Sequence, residues 1–185
     1  EIMPRLVGSE MCIRDRTQPL DEYREQRRGG QGKAAASVKE EDLIQNLYVL
    51  SSHVQILCFT TKGKVFWLKV YEIPVASRTS KGRPLVNMLN LDDDERVSDI
   101  LPVEEFSEDK FIFMATRKGI TKKTSLSLFA RKWKSGIKAI NLDDDDRLIG
   151  TAITNGKKEI LLASSAGKLI SCLLYTSPSP RDEAL

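Results

Sequence analysis

The sequence predicts an all-β fold built from repeated antiparallel blades of roughly four strands each, as in propeller-like architectures. Three segments share one pattern, in which a short apolar strand, a polar turn with glycine and a second strand follow one another; they are residues 56–65, 113–120 and 161–170. An acidic run recurs between these segments, at 92–95 and at 143–146. Both elements recur at a spacing of about fifty residues, which indicates a structural repeat.

The local signals within each repeat are those of β structure. Residues 65–71 are rich in branched and aromatic side chains, and Pro74 and Gly82 punctuate the connection that follows. We expect strands at about 55–60, 64–71, 111–116 and 159–170. A helix of ordinary length with a clean 3.6-residue period is not evident, so residues 40–47 allow at most one short helical turn. The last copy breaks off at Ile170, and we therefore expect a truncated array with an unpaired strand edge.

The acidic runs admit two interpretations. Clustered carboxylates suit a hard cation, because such ions prefer oxygen ligands. Each run is also followed by arginine and an apolar residue, as in Arg96-Val97 and Arg147-Leu148. This equivalent placement in two repeats favours a structural loop over a metal site.

The two ends of the chain carry sequences that one piece of DNA can encode when it is read on opposite strands. Codons for residues 9–12 (Ser-Glu-Met-Cys), reverse-complemented and shifted in frame, supply the core of residues 175–178 (Tyr-Thr-Ser-Pro). Both ends resemble the translated adapter of a sequencing library. We therefore expect residues 17–171 to be the natural protein, with about two blades and parts of others. Residues 1–16 and 172–185 are expected to be adapter-derived and to make few contacts with the core.

Composition excludes several classes of site. The chain has 29 Lys and Arg against 26 Asp and Glu, and this mild net charge of +3 does not by itself identify a nucleic-acid partner. Within 17–171 the cysteine is Cys58, in an apolar run, so a disulfide framework and a cysteine zinc site are excluded and a buried thiol is expected. His53 is the only histidine, which leaves a His-based triad without partners. No apolar run approaches the length of a membrane span, and we expect a soluble cytoplasmic protein with no membrane partner.

A basic, glycine-rich stretch at residues 23–33 has the physical properties of a phosphate-binding loop. It combines glycines that allow close backbone approach with cations, namely Gly29, Gly30, Gly32, Arg27, Arg28 and Lys33. Such a composition is also typical of a solvated loop or a linker, and the residues alone leave both interpretations open.

Residues 26–32 (Gln-Arg-Arg-Gly-Gly-Gln-Gly) resemble the gyrase A box, the heptapeptide that marks the gyrase A carboxy-terminal domain family. The family carries a basic residue at the sixth place, where this chain has Gln31, so one charge is missing there. The resemblance continues in order through residues 39–42, 56–59, 69–71, 82–87, 113–116 and 148–150. It covers essentially the whole of residues 17–171.

The resemblance implies a β-pinwheel, which has six blades when complete and whose basic rim bends DNA around itself. It implies a DNA-binding and DNA-wrapping module of DNA gyrase, the type II topoisomerase that uses ATP to introduce negative supercoils. The partners it implies are double-stranded DNA and, through regions outside this chain, a second gyrase A protomer together with gyrase B. The strand-cleaving tyrosine and the sites of ATP and Mg²⁺ lie elsewhere in that enzyme. No catalytic residue, cofactor or metal is therefore expected in this chain.

We expect two groups of residues to contact DNA. The first is the heptapeptide region, Gln26, Arg27, Arg28, Gly29, Gly30, Gln31, Gly32 and Lys33. The second is the set of cations in loops between the repeated strands, Arg78, Lys81, Arg83, Lys118, Lys122, Lys123, Arg131, Lys132 and Lys134. Wrapping without base readout needs many such phosphate contacts along a curved surface. Trp67 is predicted to be a core residue, whereas Trp133, among cations, is open between packing and base stacking.

Other functions remain as alternatives. The related carboxy-terminal domain of topoisomerase IV is also built of blades, but an intact heptapeptide argues against it. A generic propeller that serves as a protein-interaction platform would predict neither the heptapeptide nor cations gathered on one rim. An independent enzyme is the least supported, because no nucleophile, base and orienting group can be assembled from these residues.

Overall fold

The computed structural model describes residues 2–7, 13–15, 28, 43–75, 83–84, 87–92 and 94–173. Its strands are, in chain order, β1 (Ile2–Val7), β2 (Ile13–Asp15), β3 (Leu43–Val49), β4 (Gln55–Thr60), β5 (Lys64–Lys69), β6 (Arg83–Pro84), β7 (Val97–Val103), β8 (Phe111–Thr116), β9 (Thr121–Ser125), β10 (Ile137–Lys138), β11 (Leu148–Thr154), β12 (Glu159–Ala163) and β13 (Leu169–Leu173). Short 3-10 turns follow β5 and β9, at Val70–Glu72 and Leu126–Phe129. No α-helix occurs in these residues, which agrees with the predicted all-β fold.

The sheets built on β4–β5 and β8–β9 join the hairpin of one repeat to strands of the next repeat. The hairpin β4–β5 is bordered by β7 on one side and by β10 on the other, which gives the order β10-β5-β4-β7. The hairpin β8–β9 takes β11 in the same way, and all of these pairings are antiparallel. The hairpin β12–β13 forms a two-stranded sheet. Successive repeats therefore hold one another together by main-chain hydrogen bonds as well as by packing.

The sheet β10-β5-β4-β7 lies at the centre of the core because both of its faces are covered. Ile56 and Cys58 pack into one apolar cluster, and Leu57 and Phe59, which point to the opposite face, pack into a second cluster with side chains of β8 and β11. A fully buried side chain of this kind stabilises a fold by roughly 1.5–3 kcal/mol. The buried thiol predicted for Cys58 is confirmed. Trp67 is half-buried against the second cluster, which agrees with its predicted place in the core.

The three repeated hairpins turn in the same way. In each, the turn glycine has a positive φ, and a hydroxyl near the start of the turn accepts a backbone N–H from four residues further on. The glycines are Gly63, Gly119 and Gly167, and the hydroxyls are those of Thr60, Thr116 and Ser164. Glycine is needed because the left-handed region costs other residues about 1–2 kcal/mol. The glycine spacing in the sequence therefore reports a backbone requirement of the fold.

Some predicted boundaries differ from those observed. The strand predicted at 64–71 ends at Lys69, because the N–H of Ile73 donates to the carbonyl of Val70 and forms a 3-10 turn. The span 159–170 is divided into β12 and β13 around a turn. The short helical turn allowed at 40–47 is wrong from residue 43 onward, where the chain is strand β3.

The prediction that the residues before Arg16 make few contacts with the fold is wrong for Ile2–Val7. β1 pairs antiparallel with β3 along its length, β2 pairs with β1, and β6 pairs with β2. The order β3-β1-β2-β6 has the same form as β7-β4-β5-β10 in the neighbouring blade. β1 and β2 thus stand where β4 and β5 stand in that blade. The physical reason is the edge of β3, whose main-chain donors and acceptors pair with any extended segment of suitable composition. At the other end of the chain, residues 172–173 belong to β13, and residues 174–185 lie outside the described residues.

Candidate nucleic-acid interface

The structure describes part of the predicted DNA-binding set. In the heptapeptide region, Arg28 lies in a turn and is exposed. Arg83 lies in β6, which pairs with β2. The predicted residues that lie outside the described part of the chain are Gln26, Arg27, Gly29, Gly30, Gln31, Gly32, Lys33, Arg78 and Lys81. The remaining predicted cations all belong to one segment, residues 110–142, and each has a defined position.

The blades have two distinct ends. One end, here called the turn rim, is formed by the hairpin turns 60–63 and 116–120 together with the acidic runs 92–95 and 143–146. The opposite end, here called the loop rim, is formed by the 3-10 turns Val70–Glu72 and Leu126–Phe129. The loop 130–136, here called the basic loop, leads from there back along β5, because Ile137 pairs with Val65 and Gly136 lies against the Phe66 ring. Because β9 runs from the first rim to the second, the two rims lie about 16 Å apart along that strand.

The first acidic run binds the hairpin turn of the preceding strands. The buried carboxylate of Glu95 accepts a hydrogen bond from the Thr60 hydroxyl at 2.5 Å. The ammonium of Lys64 lies 3.4 Å from Glu95 and 2.7 Å from Asp92. The hydrogen bond to Asp92 is the main cause that raises the pKa of Lys64 and lowers the pKa of Asp92.

The second acidic run makes the equivalent contacts one repeat later. The backbone N–H groups of Arg147 and Lys118 donate to Asp146 at 2.8 and 3.1 Å. These bonds, together with those of the first run, support the structural-loop interpretation of the acidic runs. Among the described residues, no three His, Cys, Asp or Glu side chains group together in a way that would hold a metal ion.

Lys118, one of the predicted DNA contacts, lies on the turn rim. Its ammonium donates a hydrogen bond to Asp145, which raises the pKa of Lys118 and lowers the pKa of Asp145. The charge of Lys118 is therefore paired with that of a carboxylate. Lys118 lies at the opposite end of β9 from the loop rim.

Lys122 and Lys123 lie on strand β9 between the two rims, so their predicted position in a loop is wrong. The ammonium of Lys122 donates to the carbonyl of Ala139 at 2.9 Å, which ties β9 to the segment that follows β10. The ammonium of Lys123 lies 4.7 Å from the ring centroid of Phe111. Both side chains therefore have structural contacts within the blade.

The loop 130–136 displays the remaining predicted cations. Arg131, Lys132 and Lys134 are exposed on this basic loop. The guanidinium carbon of Arg131 lies 4.5 Å from the ring centroid of Trp133, whose side chain is 45% exposed. The position of Trp133, left open by the sequence, is therefore outside the core.

The electrostatic character of this region comes from the absence of carboxylates in its sequence. Residues 110–142 contain nine Lys and Arg and no Asp or Glu. Lys110 and Lys138, both exposed, belong to the same segment and were not among the predicted contacts. The absence of Asp and Glu from residues 110–142 is the sequence feature that indicates Lys110 and Lys138 as candidate contacts. Such a cluster can hold phosphate groups by charge and hydrogen bonding without reading bases.

The chain resembles known proteins in sequence. A family profile described as DNA gyrase C-terminal domain, beta-propeller, matches residues 17–51, 55–104 and 110–155. The A subunit of DNA gyrase from Aeromonas salmonicida is 54% identical over 153 residues, which are 83% of this chain and 17% of that protein. Its counterpart from Escherichia coli K12 is 51% identical over 153 residues, which are 83% of this chain and 18% of that protein. The chain thus spans less than a fifth of these relatives.

Solved structures resemble the fold as well. The crystal structure of the C-terminal domain of DNA topoisomerase IV superposes with a TM-score of 0.72 at 22% identity, covering 92% of this chain and 51% of the other. The structure of a DNA gyrase A C-terminal domain superposes with a TM-score of 0.63 at 20% identity, covering 92% of this chain and 54% of the other. These similarities show the fold, which is the predicted propeller-like array of blades. No helix in the described residues is long and apolar enough to cross a membrane.

Proposed function

The chain belongs to the family of DNA gyrase C-terminal domains, and on that premise we propose that it binds duplex DNA and wraps it around the blades. In the whole enzyme this wrapping would support ATP-dependent negative supercoiling by DNA gyrase, a type II topoisomerase. The observation that carries the proposal is the acid-free segment 110–142, which displays exposed cations on the basic loop 130–136.

The charge pattern supports wrapping better than recognition of a base sequence. Lysine and arginine side chains at the ends of successive blades meet successive phosphates, and each neutralised phosphate releases counterions. The described interface offers such cations along a surface made of repeated hairpins. Sequence preference would then come from how easily the DNA bends.

The chemistry of the enzyme would lie in other regions of the gyrase assembly. We assign no catalytic residue, cofactor or metal to this chain, and we place its action in the bacterial cytoplasm on double-stranded DNA. Gyrase B and a second gyrase A protomer would join the assembly through regions outside this chain. ATP and Mg²⁺ would act in those regions.

The first test measures affinity for a fluorescent duplex as a function of salt. The basic-loop variant Lys132→Ala/Lys134→Ala is compared with a turn-rim control, Lys62→Ala/Arg117→Ala, in which two exposed cations are also removed. Each phosphate contact contributes about 0.9 to the slope of log K against log salt. We expect the basic-loop variant to lose up to about 1.8 from that slope, whereas the control keeps it. Equal slopes in the two variants would show that the basic loop does not contact DNA.

The second test measures wrapping. The chain alone, with plasmid, ATP and Mg²⁺, is expected to leave the linking number unchanged and to form no covalent adduct. When a separate topoisomerase relaxes the unconstrained DNA, writhe held by the protein becomes a lasting change in linking number. A change without that added enzyme would contradict the placement of the chemistry elsewhere. No change in its presence, even for an intact C-terminal domain, would contradict wrapping.

A further inference from the structure

Trp133 is a large aromatic residue displayed in the middle of the basic loop. Its side chain is 45% exposed, and Arg131, Lys132 and Lys134 surround it in the sequence. A single exposed aromatic residue is ordinary at a protein surface. What distinguishes Trp133 is that the guanidinium of Arg131 lies over its ring and that no carboxylate occurs in the surrounding segment 110–142.

The loop holds Trp133 in place because both of its ends are fixed. At the start, the carbonyl of Phe129 accepts a hydrogen bond from the indole N–H of Trp67 at 2.7 Å, and the Phe129 ring packs edge-on against Phe59. At the end, the N–H of Gly136 donates to the carbonyl of Trp133 at 3.1 Å. A Cβ on Gly136 would lie 2.8 Å from the Phe66 ring, so the turn is seated directly on the core. An aromatic side chain on a turn of this kind loses little conformational entropy when it binds a partner.

The neighbouring blade displays a similar pair of side chains at the loop rim. Tyr71, in the 3-10 turn after β5, is 55% exposed, and the ammonium of Lys69 lies 5.1 Å from its ring centroid. The two aromatic residues are not at equivalent repeat positions, since Trp133 lies in the loop beyond the corresponding 3-10 turn. Each of the two blades nevertheless displays an exposed aromatic ring with an associated cation.

We propose that Trp133 contacts the duplex directly, with its ring against the sugars and base edges of the minor groove, while the adjacent cations hold the flanking phosphates. The inference rests on the proposed DNA-binding function. Apolar side chains placed against the minor groove partly unstack base steps and favour bending toward the major groove. Trp133 would thus add a contribution to bending that cations alone do not give, and Tyr71 would do the same in the neighbouring blade.

The test uses the 185-residue chain and a duplex labelled at both ends for energy transfer. Trp133→Ala is expected to weaken duplex binding about tenfold and to reduce the bend. The slope of log K against log salt should stay unchanged, because no cation is removed. Trp133→Phe should recover most of both effects. Ile149→Ala, which removes a 57% exposed apolar side chain next to the acidic run of the turn rim, is the matched control and should bind like the wild type. Unchanged urea midpoints in all variants would confirm that the fold is intact.

Each outcome separates this inference from the proposed function. Duplex binding by the wild type with unchanged affinity and bend in Trp133→Ala would overturn the role of Trp133 and leave the proposed function standing. Loss of affinity with a shallower salt slope would also overturn it, because the effect would then come from displaced cations. If Trp133 strengthened binding to single-stranded DNA more than binding to the duplex, its ring would stack on bases, and the proposed minor-groove contact would be overturned. A wild-type chain that binds no duplex would overturn the proposed function and this inference together.

Discussion

Replacing Gly63 by alanine tests whether the repeats are closed by direct contact between a hairpin turn and the next repeat. Gly63 and Gly119 occupy equivalent turns with φ of +74° and +86°. A Cβ on Gly63 would lie 2.7 Å from the carbonyl oxygen of Ile140, whereas a Cβ on Gly119 would meet no atom within 4 Å. The carbonyl of Gly63 also accepts the N–H of Ala139 at 2.8 Å. The two substitutions therefore share one backbone cost and differ in one contact.

The expected magnitudes follow from these distances. The left-handed conformation costs alanine about 1–2 kcal/mol at either position. At Gly63 the added methyl group also displaces the backbone of Ile140, and overpacking of this kind costs about 1–3 kcal/mol more. Gly119→Ala should thus lower the free energy of unfolding by about 1–2 kcal/mol and Gly63→Ala by about 2–5 kcal/mol. With a urea dependence of about 1–3 kcal/mol per molar, a difference of about 2 kcal/mol separates the midpoints by about 1 M.

Urea unfolding followed by the fluorescence of half-buried Trp67 measures both variants. The wild type gives the reference midpoint, and equal urea dependences show that the same structure unfolds in each protein. If Gly63→Ala and Gly119→Ala shifted the midpoint equally, the contact with Ile140 would contribute nothing, and the claim that β10 closes the blade against the turn would be refuted.

Three further predictions concern the acidic runs and the heptapeptide. Glu95→Ala should destabilise by about 2–3 kcal/mol, because it leaves the Thr60 hydroxyl and the Lys64 ammonium without their buried acceptor; exposed Asp94→Ala is the control, and equal urea midpoints would contradict the role of Glu95. Lys64 lowers the pKa of Asp92, so the ionised carboxylate stabilises the folded state. This stabilisation is fully present above pH 3.8, the ordinary pKa of Asp, and is lost as the pH falls through the lowered pKa. The melting temperature of Lys64→Gln should accordingly depend less on pH below 3.8 than that of the wild type. Identical pH profiles would show that the ion pair between Lys64 and Asp92 does not stabilise the fold. Arg27→Ala/Arg28→Ala should impair wrapping, measured as constrained writhe, more than duplex affinity, because other cations still hold phosphate; equal losses, or none, would argue against this division.

The repeat and the central strands could be predicted from the sequence because their causes are local. Gly63 and Gly119 mark turns that need a positive φ, and the apolar run around Cys58 marks a strand covered on both faces. The end of β5 could not be predicted in the same way. The stretch 64–71 has uniform β propensity, and the N–H groups of Val70 and Tyr71 still donate across the hairpin to the carbonyls of Val54 and Ser52. The 3-10 turn forms because the N–H of Ile73 donates to the carbonyl of Val70, and the β propensity of the stretch does not indicate that bond.

The exchange of strands between repeats depends on long-range pairing, which composition does not encode. β10 has two residues, too few for a propensity signal, and its position is set by pairing with β5. The same limit applies to β1, whose pairing with β3 depends on an available strand edge rather than on its own sequence. The candidate interface shows a similar division. The loop cations at 131–134 could be identified from charge, whereas the contact of Lys118 with Asp145 depends on how the second acidic run folds against the turn.

The closure of the blades also fixes the position of the acidic runs. Each acidic run is fixed at a hairpin turn by backbone and side-chain hydrogen bonds, as Glu95 is to Thr60 and Asp146 is to the N–H of Lys118. Negative charge is therefore placed on the turn rim in both repeats by the same contacts that stabilise the fold. The loop 130–136 has no part in those contacts, and its sequence carries cations without carboxylates. A duplex at the loop rim would meet the exposed carboxylates of Glu72, Glu104 and Glu105, whereas a duplex over the basic loop meets ammonium and guanidinium groups beside Trp133. The path proposed for DNA therefore crosses the basic loop and avoids the acidic runs that close one repeat on the next.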